Sequence, residues 1–294
     1  NEIISILREG QYDAFYLNTS TALSYVSMKA AYECNIPLRI CHSHASGIDS
    51  GSFFKRILLK VIHIYGKGRM VKYANRYQAC SPVAAKWMYT EDIVLKKQYV
   101  FVHNAFPVEE YVFSSKKRSE VRRNLDLESK TVVGFIGSLC YPKNIPFALD
   151  IFSEVKKKIS DAVFMVVGDG PLLEFAEEKA AELSVADSVM FLGWRDDVKD
   201  LLQAMDLLLA PSIFEGLSFV SLEAQAAGLR CFFSTNITKA TAVTPYCTFL
   251  GLHVPPQEWA ATMIKNINYQ RENTYRYFEK EGYVLSKVKD IYMY

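Results

Sequence analysis

The sequence of 294 residues has no long hydrophobic run, no paired-cysteine motif and almost no net charge. No apolar stretch reaches the ~18 to 20 residues of a membrane span and no signal peptide opens the chain, so it reads as a soluble, cytoplasmic protein. The six cysteines (Cys34, Cys41, Cys80, Cys140, Cys231, Cys247) never form C-x-x-C and mostly sit in apolar runs. They read as reduced thiols used as small hydrophobes, not as a disulfide framework. With 34 basic against 32 acidic residues, the net charge of +2 excludes a nucleic-acid partner argued from charge alone. The histidines lack ligand spacing and no Asp-x-Asp stands at a strand end, so no metal site is expected. Internal repeats of short period and low-complexity tracts are also missing. Hydrophobic residues make up half of the chain, enough for a large core and more naturally two domains than one.

From Thr131 onward, short β-branched or apolar runs alternate with longer segments of helical period, the pattern of βα units on a parallel sheet. Strands are expected in "TVVGFIG" (131–137), "AVFMVVG" (162–168), "SVMFLG" (188–193), "DLLLAPS" (206–212), "RCFFST" and "CTFLGL". Helices are expected near 145–158, 171–183, in "DDVKDLLQAM", from about Ser218 to Ala227, in "QEWAATMIKNI" and toward Tyr294. The first hundred residues alternate in the same way, with strands in 12–18, 38–44, 76–81 and 99–104. The expected organisation is thus a domain over 1–105 and another over 106–294. The polar stretch 114–130 reads as linker plus a short solvated helix. Four strands are few for a doubly wound domain, so the first domain is expected to be incomplete at its start.

In an open parallel sheet ligands sit beyond the carboxyl ends of the strands, and three motifs fall there. "GFIGSLCYPKN" places Gly137 and Ser138 at a strand end and Lys143 and Asn144 before a helix. A lysine close to helix-terminal N–H groups suits a phosphate or diphosphate, and is equally compatible with an ordinary solvated loop lysine. "VVGDGPLLE" carries Gly168 and Gly170, which let a ligand approach the backbone or simply make a tight turn. It is not G-x-G-x-x-G, so no dinucleotide site is read. "APSIFEGLSFVSLEAQAAGL" (210–229) holds two carboxylates, Glu215 and Glu223, in a segment otherwise apolar, small or hydroxylated. Acids there would repel phosphate but can accept hydrogen bonds from sugar hydroxyls. Serving as favourable charges near a helix start is the alternative.

"FEGLSFVSLEAQAAG" resembles the E-x7-E signature of retaining glycosyltransferases of family four (group one), of GT-B fold. "GFIGSLCYPKN", "VVGDGP" and "VMFLGWRDDV" precede it in the family's order, and the ordered set is far more specific than any member. The first half resembles the acceptor-side domain of the capsular and exopolysaccharide branch through "RICHSHAS" and "VHNAF". The resemblance implies two Rossmann-like α/β domains facing across a cleft. It implies that Glu215 contacts hydroxyls of the transferred sugar, Glu223 the ribose of the nucleotide, and Lys143 the donor diphosphate. The backbone of Gly216, Leu217 and Ser218 would meet phosphates or sugar, and Trp194 and Arg195 would border the base. His44 resembles the family's histidine near the transferred sugar, with His42 the lesser candidate.

Two departures stand out. Ser138 occupies the place of the family's usual arginine, and a missing charge-assisted contact costs ~1.5 to 3 kcal/mol of donor or transition-state binding. The first domain is also expected to lack the family's opening βα units. What the resemblance implies is transfer of a sugar from a nucleoside diphosphate sugar to a saccharide or lipid-linked hydroxyl with retention, without a cofactor. A non-catalytic nucleotide-sugar-binding scaffold and a nucleotide-sugar epimerase remain as alternatives. Finally, segment 52–77 alternates Lys and Arg with Phe, Ile, Leu and Tyr at helical spacing. It reads either as a peripheral contact with the inner face of a membrane or as a buried apolar face with a solvated basic back.

Overall fold

The structure, a computed structural model, describes residues 2–44, 53–102, 105–215 and 217–286, with the side chains of 53–56 outside the description. The chain divides into two compact units, Asn1–Ala105 and Phe106–Lys287.

The first unit carries helices α1 (Glu2–Glu9), α2 (Tyr25–Glu33), α3 (Phe53–Tyr73), α4 (Pro82–Met88) and α5 (Glu91–Leu95) around strands β1 (Ala14–Thr19), β2 (Leu38–Ser43), β3 (Arg76–Ala79) and β4 (Val100–Phe101). The strands pair in parallel in the order β1-β2-β3-β4. All four lie where the alternation predicts them, although β4 is only two residues long; the rest of its expected span includes residues 103–104, outside the described set.

Helix α3 does not follow the reading of segment 52–77 as a buried apolar face with a solvated basic back. Its buried positions are His63, Gly66, Met70 and Tyr73, while Ile57, Leu58, Val61, Ile64 and Tyr65 face solvent. The packed face is thus chosen by a small residue and a hydrogen-bonding one. A Cβ on Gly66 would come within 2.7 Å of the Ala22 carbonyl oxygen, so only glycine allows this approach. His63 Nδ1 accepts from the Ala22 N–H at 3.1 Å, Nε2 donates to the Trp87 carbonyl at 2.9 Å, and its ring stacks on Trp87.

The second unit adds α6 (Ser115–Asn124), β5 (Thr131–Ile136), α7 (Ile145–Lys158), β6 (Ala162–Val167), α8 (Leu173–Glu182), β7 (Val189–Phe191), α9 (Val198–Ala204), β8 (Leu207–Ala210), α10 (Phe219–Ala226), β9 (Arg230–Ser234), β10 (Cys247–Leu250), α11 (Pro256–Lys265) and α12 (Tyr275–Glu281). All six strands pair in parallel in the order β10-β9-β8-β5-β6-β7. The order in which strands are added reverses between β5 and β8, which is the switch point of a doubly wound sheet. Successive side chains alternate between two cores. Val133, Phe135, Phe164, Val166, Leu207, Leu209 and Phe232 pack with residues of α7, α8 and α11. Val132, Met165, Val167, Leu208, Cys231 and Phe233 pack with residues of α6, α9 and α10. Burial on both faces is why these strands read as unbroken apolar runs.

The expected solvated linker helix, α6, is instead an anchor. Arg118 donates to the carbonyls of Gln203, Ala204 and Met205 at 2.9 to 3.1 Å, and to the Asp206 carboxylate. Arg122, buried, reaches Ala204 and the other Asp206 oxygen, which also accepts from the Val132 N–H at 2.7 Å. These guanidinium groups cap the carbonyls that the end of α9 leaves without partners. The two ends of the unit meet: the Phe106 N–H donates to the Tyr283 carbonyl at 3.2 Å. Phe106, Val108, Phe278, Tyr283 and Val284 form one cluster with Leu222 and Ala226 of α10.

Candidate active site

The loops leaving β5 and β8 share the switch point and are sewn together. The Ile213 N–H donates to the Pro142 carbonyl at 2.8 Å, and Asn144 Nδ2 donates to the Pro211 carbonyl at 3.1 Å. Asn144 takes a left-handed conformation (φ 59°) that turns the chain into α7. Lys143 and Glu215, 72 residues apart, form an ion pair, Nζ donating to Oε1, and Ser212 Oγ donates to Oε2 at 3.0 Å. Both side chains are mostly buried, 24% and 13% exposed. In the two loops, 137–144 and 211–218, they are the sole cation and the sole anion. The helices these loops lead into start without side-chain caps: neither Asn144 for α7 nor Ser218 for α10 bonds the first-turn N–H groups. First-turn amides without caps, with the lysine beside one of them, make a site for an anion.

The glycines shape this crevice. At Gly168 (φ +128°) a Cβ would lie 2.1 Å from the Gly137 carbonyl oxygen, and at Gly170 it would lie 2.5 Å from that of Leu139. The β6 loop therefore presses on the β5 loop, and the Leu139 N–H donates to the Asp169 carbonyl at 2.9 Å. The close approach that the sequence suggested for a ligand at Gly168 and Gly170 is taken up by this neighbouring loop. Gly137 (φ +148°) lies against the aliphatic stem of Lys143. Ser138 next to it is exposed.

Glu223, half-buried on α10, accepts a hydrogen bond from the Tyr111 hydroxyl at 3.0 Å. Burial raises its pKa, and the Tyr111 bond partly offsets that rise. Tyr111 itself is held by Gln203, whose Nε2 donates to its carbonyl at 3.1 Å, and by edge-on contact with Phe106. Sequence reading missed both Tyr111 and Ser212. Only their proximity in the fold reveals them, at sequence separations of 112 residues from Glu223 and 3 from Glu215.

Beyond β7, Trp194 is 76% exposed. Arg195 is engaged by Asp197 through Nε and Nη2 at 2.8 and 2.6 Å, so its side chain is already paired and its segment presents backbone and the indole face. Leu217 packs its side chain against the cluster around Phe106 and Phe278, and Ser218 is buried. Gly216 lies outside the described residues.

In the first unit, His44 follows β2 and its Nε2–H donates to Asn18 Oδ1 at 2.9 Å. His42, fully buried, contacts the Tyr16 hydroxyl through Nδ1 at 2.7 Å, and that hydroxyl donates to Gln78 Oε1 at 2.6 Å. Because the single hydroxyl proton goes to Gln78, His42 Nδ1 carries the proton of their shared bond. Burial, and secondarily the neighbouring His44, push the His42 pKa down to about 3.

Residues 130–269 match the family model described as glycosyl transferases group 1. The chain is 26% identical over 263 residues to EpsF, a Bacillus subtilis protein named as a glycosyltransferase, covering 89% of this chain and 67% of EpsF. It is 24% identical over 247 residues to an Escherichia coli UDP-Gal:alpha-D-GlcNAc-diphosphoundecaprenol alpha-1,3-galactosyltransferase, covering 79% of this chain and 60% of that protein. Among solved structures, Anabaena HepE in complex with UDP superposes with a TM-score of 0.78 at 16% identity, covering 99% of this chain and 80% of that one. The chain spans 60 to 67% of the length of these curated relatives. Residues 130–269 thus carry the match to glycosyl transferases group 1, and the architecture of parallel α/β sheets is that of GT-B glycosyltransferase structures.

Proposed function

We propose that the chain transfers a sugar from a nucleoside diphosphate sugar to a hydroxyl of a saccharide or lipid-linked acceptor, with retention at the anomeric carbon, in polysaccharide assembly. The observation that carries the reading is the Lys143–Glu215 pair at the switch point, beside the uncapped starts of α7 and α10. As the bond to the sugar breaks, negative charge grows on the departing diphosphate. Lys143 and the first-turn N–H groups act where that charge develops. Glu215, held by Ser212, accepts hydroxyls of the transferred sugar and favours positive charge on its ring. Glu223, positioned by Tyr111, accepts the ribose hydroxyls. The exposed Trp194 ring offers a face to the base. His44 receives its place near the sugar from the family resemblance, with Asn18 fixing its tautomer. Ser138 leaves Lys143 as the one side-chain cation of the two loops, so a modest turnover is expected.

The E. coli relative is named for UDP-galactose and a diphosphoundecaprenol acceptor, and HepE was solved with UDP. Uridine diphosphate sugars therefore head the panel of donors. The test is calorimetric titration with nucleoside diphosphates and their sugars, beside Glu223→Ala, followed by transfer to lipid-linked saccharide. Selective binding lost in the variant, with transfer, supports the reading. Binding without turnover shifts it to a nucleotide-sugar-binding protein, and no binding at all refutes it.

A further inference from the structure

We propose that the solvent-facing side of α3 is a docking surface for an anionic lipid bilayer, with the helix lying along the membrane plane. At about 100° per residue, Ile57, Val61, Ile64 and Tyr65 fall on one stripe with Leu58 at its margin, and all five are exposed. The opposite side, His63, Gly66, Met70 and Tyr73, is the one packed into the unit. An amphipathic helix normally buries its apolar stripe; here that stripe is left outside. Contiguous exposed aliphatic surface of this kind marks an interaction site.

Charge identifies the occupant. Residues 53–73 contain six basic residues and no acid, while the rest of the chain holds 28 basic and 32 acidic residues. Lys60 flanks the stripe on one side, Arg69 on the other, and Lys72 stands at its carboxyl-terminal end; Lys60 and Lys72 are exposed. Such side chains extend to phosphate headgroups while their stems cover apolar surface. A second copy of the same face offers only like charge, so complementarity selects an anionic surface over self-association. No described helix is long and apolar enough to cross a membrane, which leaves α3 to lie on one. This surface suits a lipid-linked acceptor but does not rest on the donor chemistry.

The test is co-sedimentation of the chain with phosphatidylcholine vesicles that contain or lack phosphatidylglycerol. Two variants accompany it, Lys60→Glu/Lys72→Glu and Leu58→Gln/Val61→Gln/Ile64→Gln, all at exposed positions and checked for an unchanged thermal midpoint. Binding to the anionic vesicles alone, weakened by salt and reduced about tenfold or more in each variant, is expected. Equal retention on both vesicles, undiminished binding in the variants, or a vesicle-independent dimer dissolved by the apolar variant would overturn the proposal. The assay uses no sugar nucleotide, so its failure and a failure of the donor site are read separately.

Discussion

If Glu215 restrains Lys143 until a sugar arrives, removing the carboxylate has unequal effects on two ligands that differ only in that sugar. The pair sits between the exposed and buried regimes, with side chains 24% and 13% accessible. Exposed ion pairs contribute ~0.2 to 1 kcal/mol and breaking a fully buried one costs ~3 to 5, so this one is worth about 1 to 2 kcal/mol after allowance for solvent. Glu215→Gln keeps the shape and still accepts from Ser212, but frees the ammonium group. A nucleoside diphosphate, which needs only the cation, is then expected to bind about five- to thirtyfold more tightly. The nucleoside diphosphate sugar loses its hydroxyl acceptor, gains little and turns over far more slowly. Lys143→Met, which preserves the stem against Gly137, weakens both ligands by about 2 kcal/mol, the value of a charge-assisted contact. Calorimetry of both ligands on both variants measures this directly, and urea unfolding followed by the buried Trp259 gives the coupling from the double variant. The reasoning fails if Glu215→Gln weakens the bare diphosphate as much as Lys143→Met does, or if the two substitutions are additive in stability.

Gly168→Ala is expected to destabilise the second unit by more than about 2 kcal/mol, because its Cβ would meet the Gly137 carbonyl at 2.1 Å in a backbone conformation that strains any side chain; an unchanged denaturation midpoint would contradict this. Glu223→Gln is expected to raise stability at pH 7 and to have little effect below the ordinary carboxyl pKa. The folded-state pKa is raised, so the charged form carries a penalty that disappears as falling pH protonates the group in both states. Melting curves at the two pH values give the sign. His42 has a depressed folded-state pKa, so its contribution is fully present above about pH 6.5 and is lost as pH falls from there toward about 3. Amide protection factors in β1 and β2, which remove the intrinsic pH dependence of exchange, should fall over that window, and His42→Asn should flatten the dependence.

The sheet of the second unit was legible in detail because burial on both faces writes each strand as an apolar run, and each helix as a longer periodic segment. The loop residues were legible for a related reason: in a parallel sheet the chemistry must fall where strands end, so Lys143 and Glu215 could be singled out without knowing that they touch. That they touch each other was hidden, since nothing local joins positions 72 residues apart. Tyr111 was hidden too, inside a stretch that reads as the approach to a linker. Arg118 and Arg122 looked solvated because a helix rich in charge normally is; the carbonyls at the end of α9 that they cap have no sequence signature. On α3 the pattern misled in the other direction. Periodicity identifies the apolar stripe but is silent about which side is packed, and Gly66 with His63 decided it.

The meeting of Phe106 with Tyr283 and Val284 makes the second unit nearly a closed loop of chain, starting and finishing beside the helix that bears Glu223. A body whose termini adjoin can be cut elsewhere and rejoined there with a short bridge. A circular permutant opened at an exposed turn away from the crevice, such as that between α8 and β7, would retain α10 and its buttress. A fragment begun at Thr131 would forfeit Tyr111 and both arginines of α6. For anyone wishing to isolate the second unit, residue 106 rather than the polar stretch after it is the place to start.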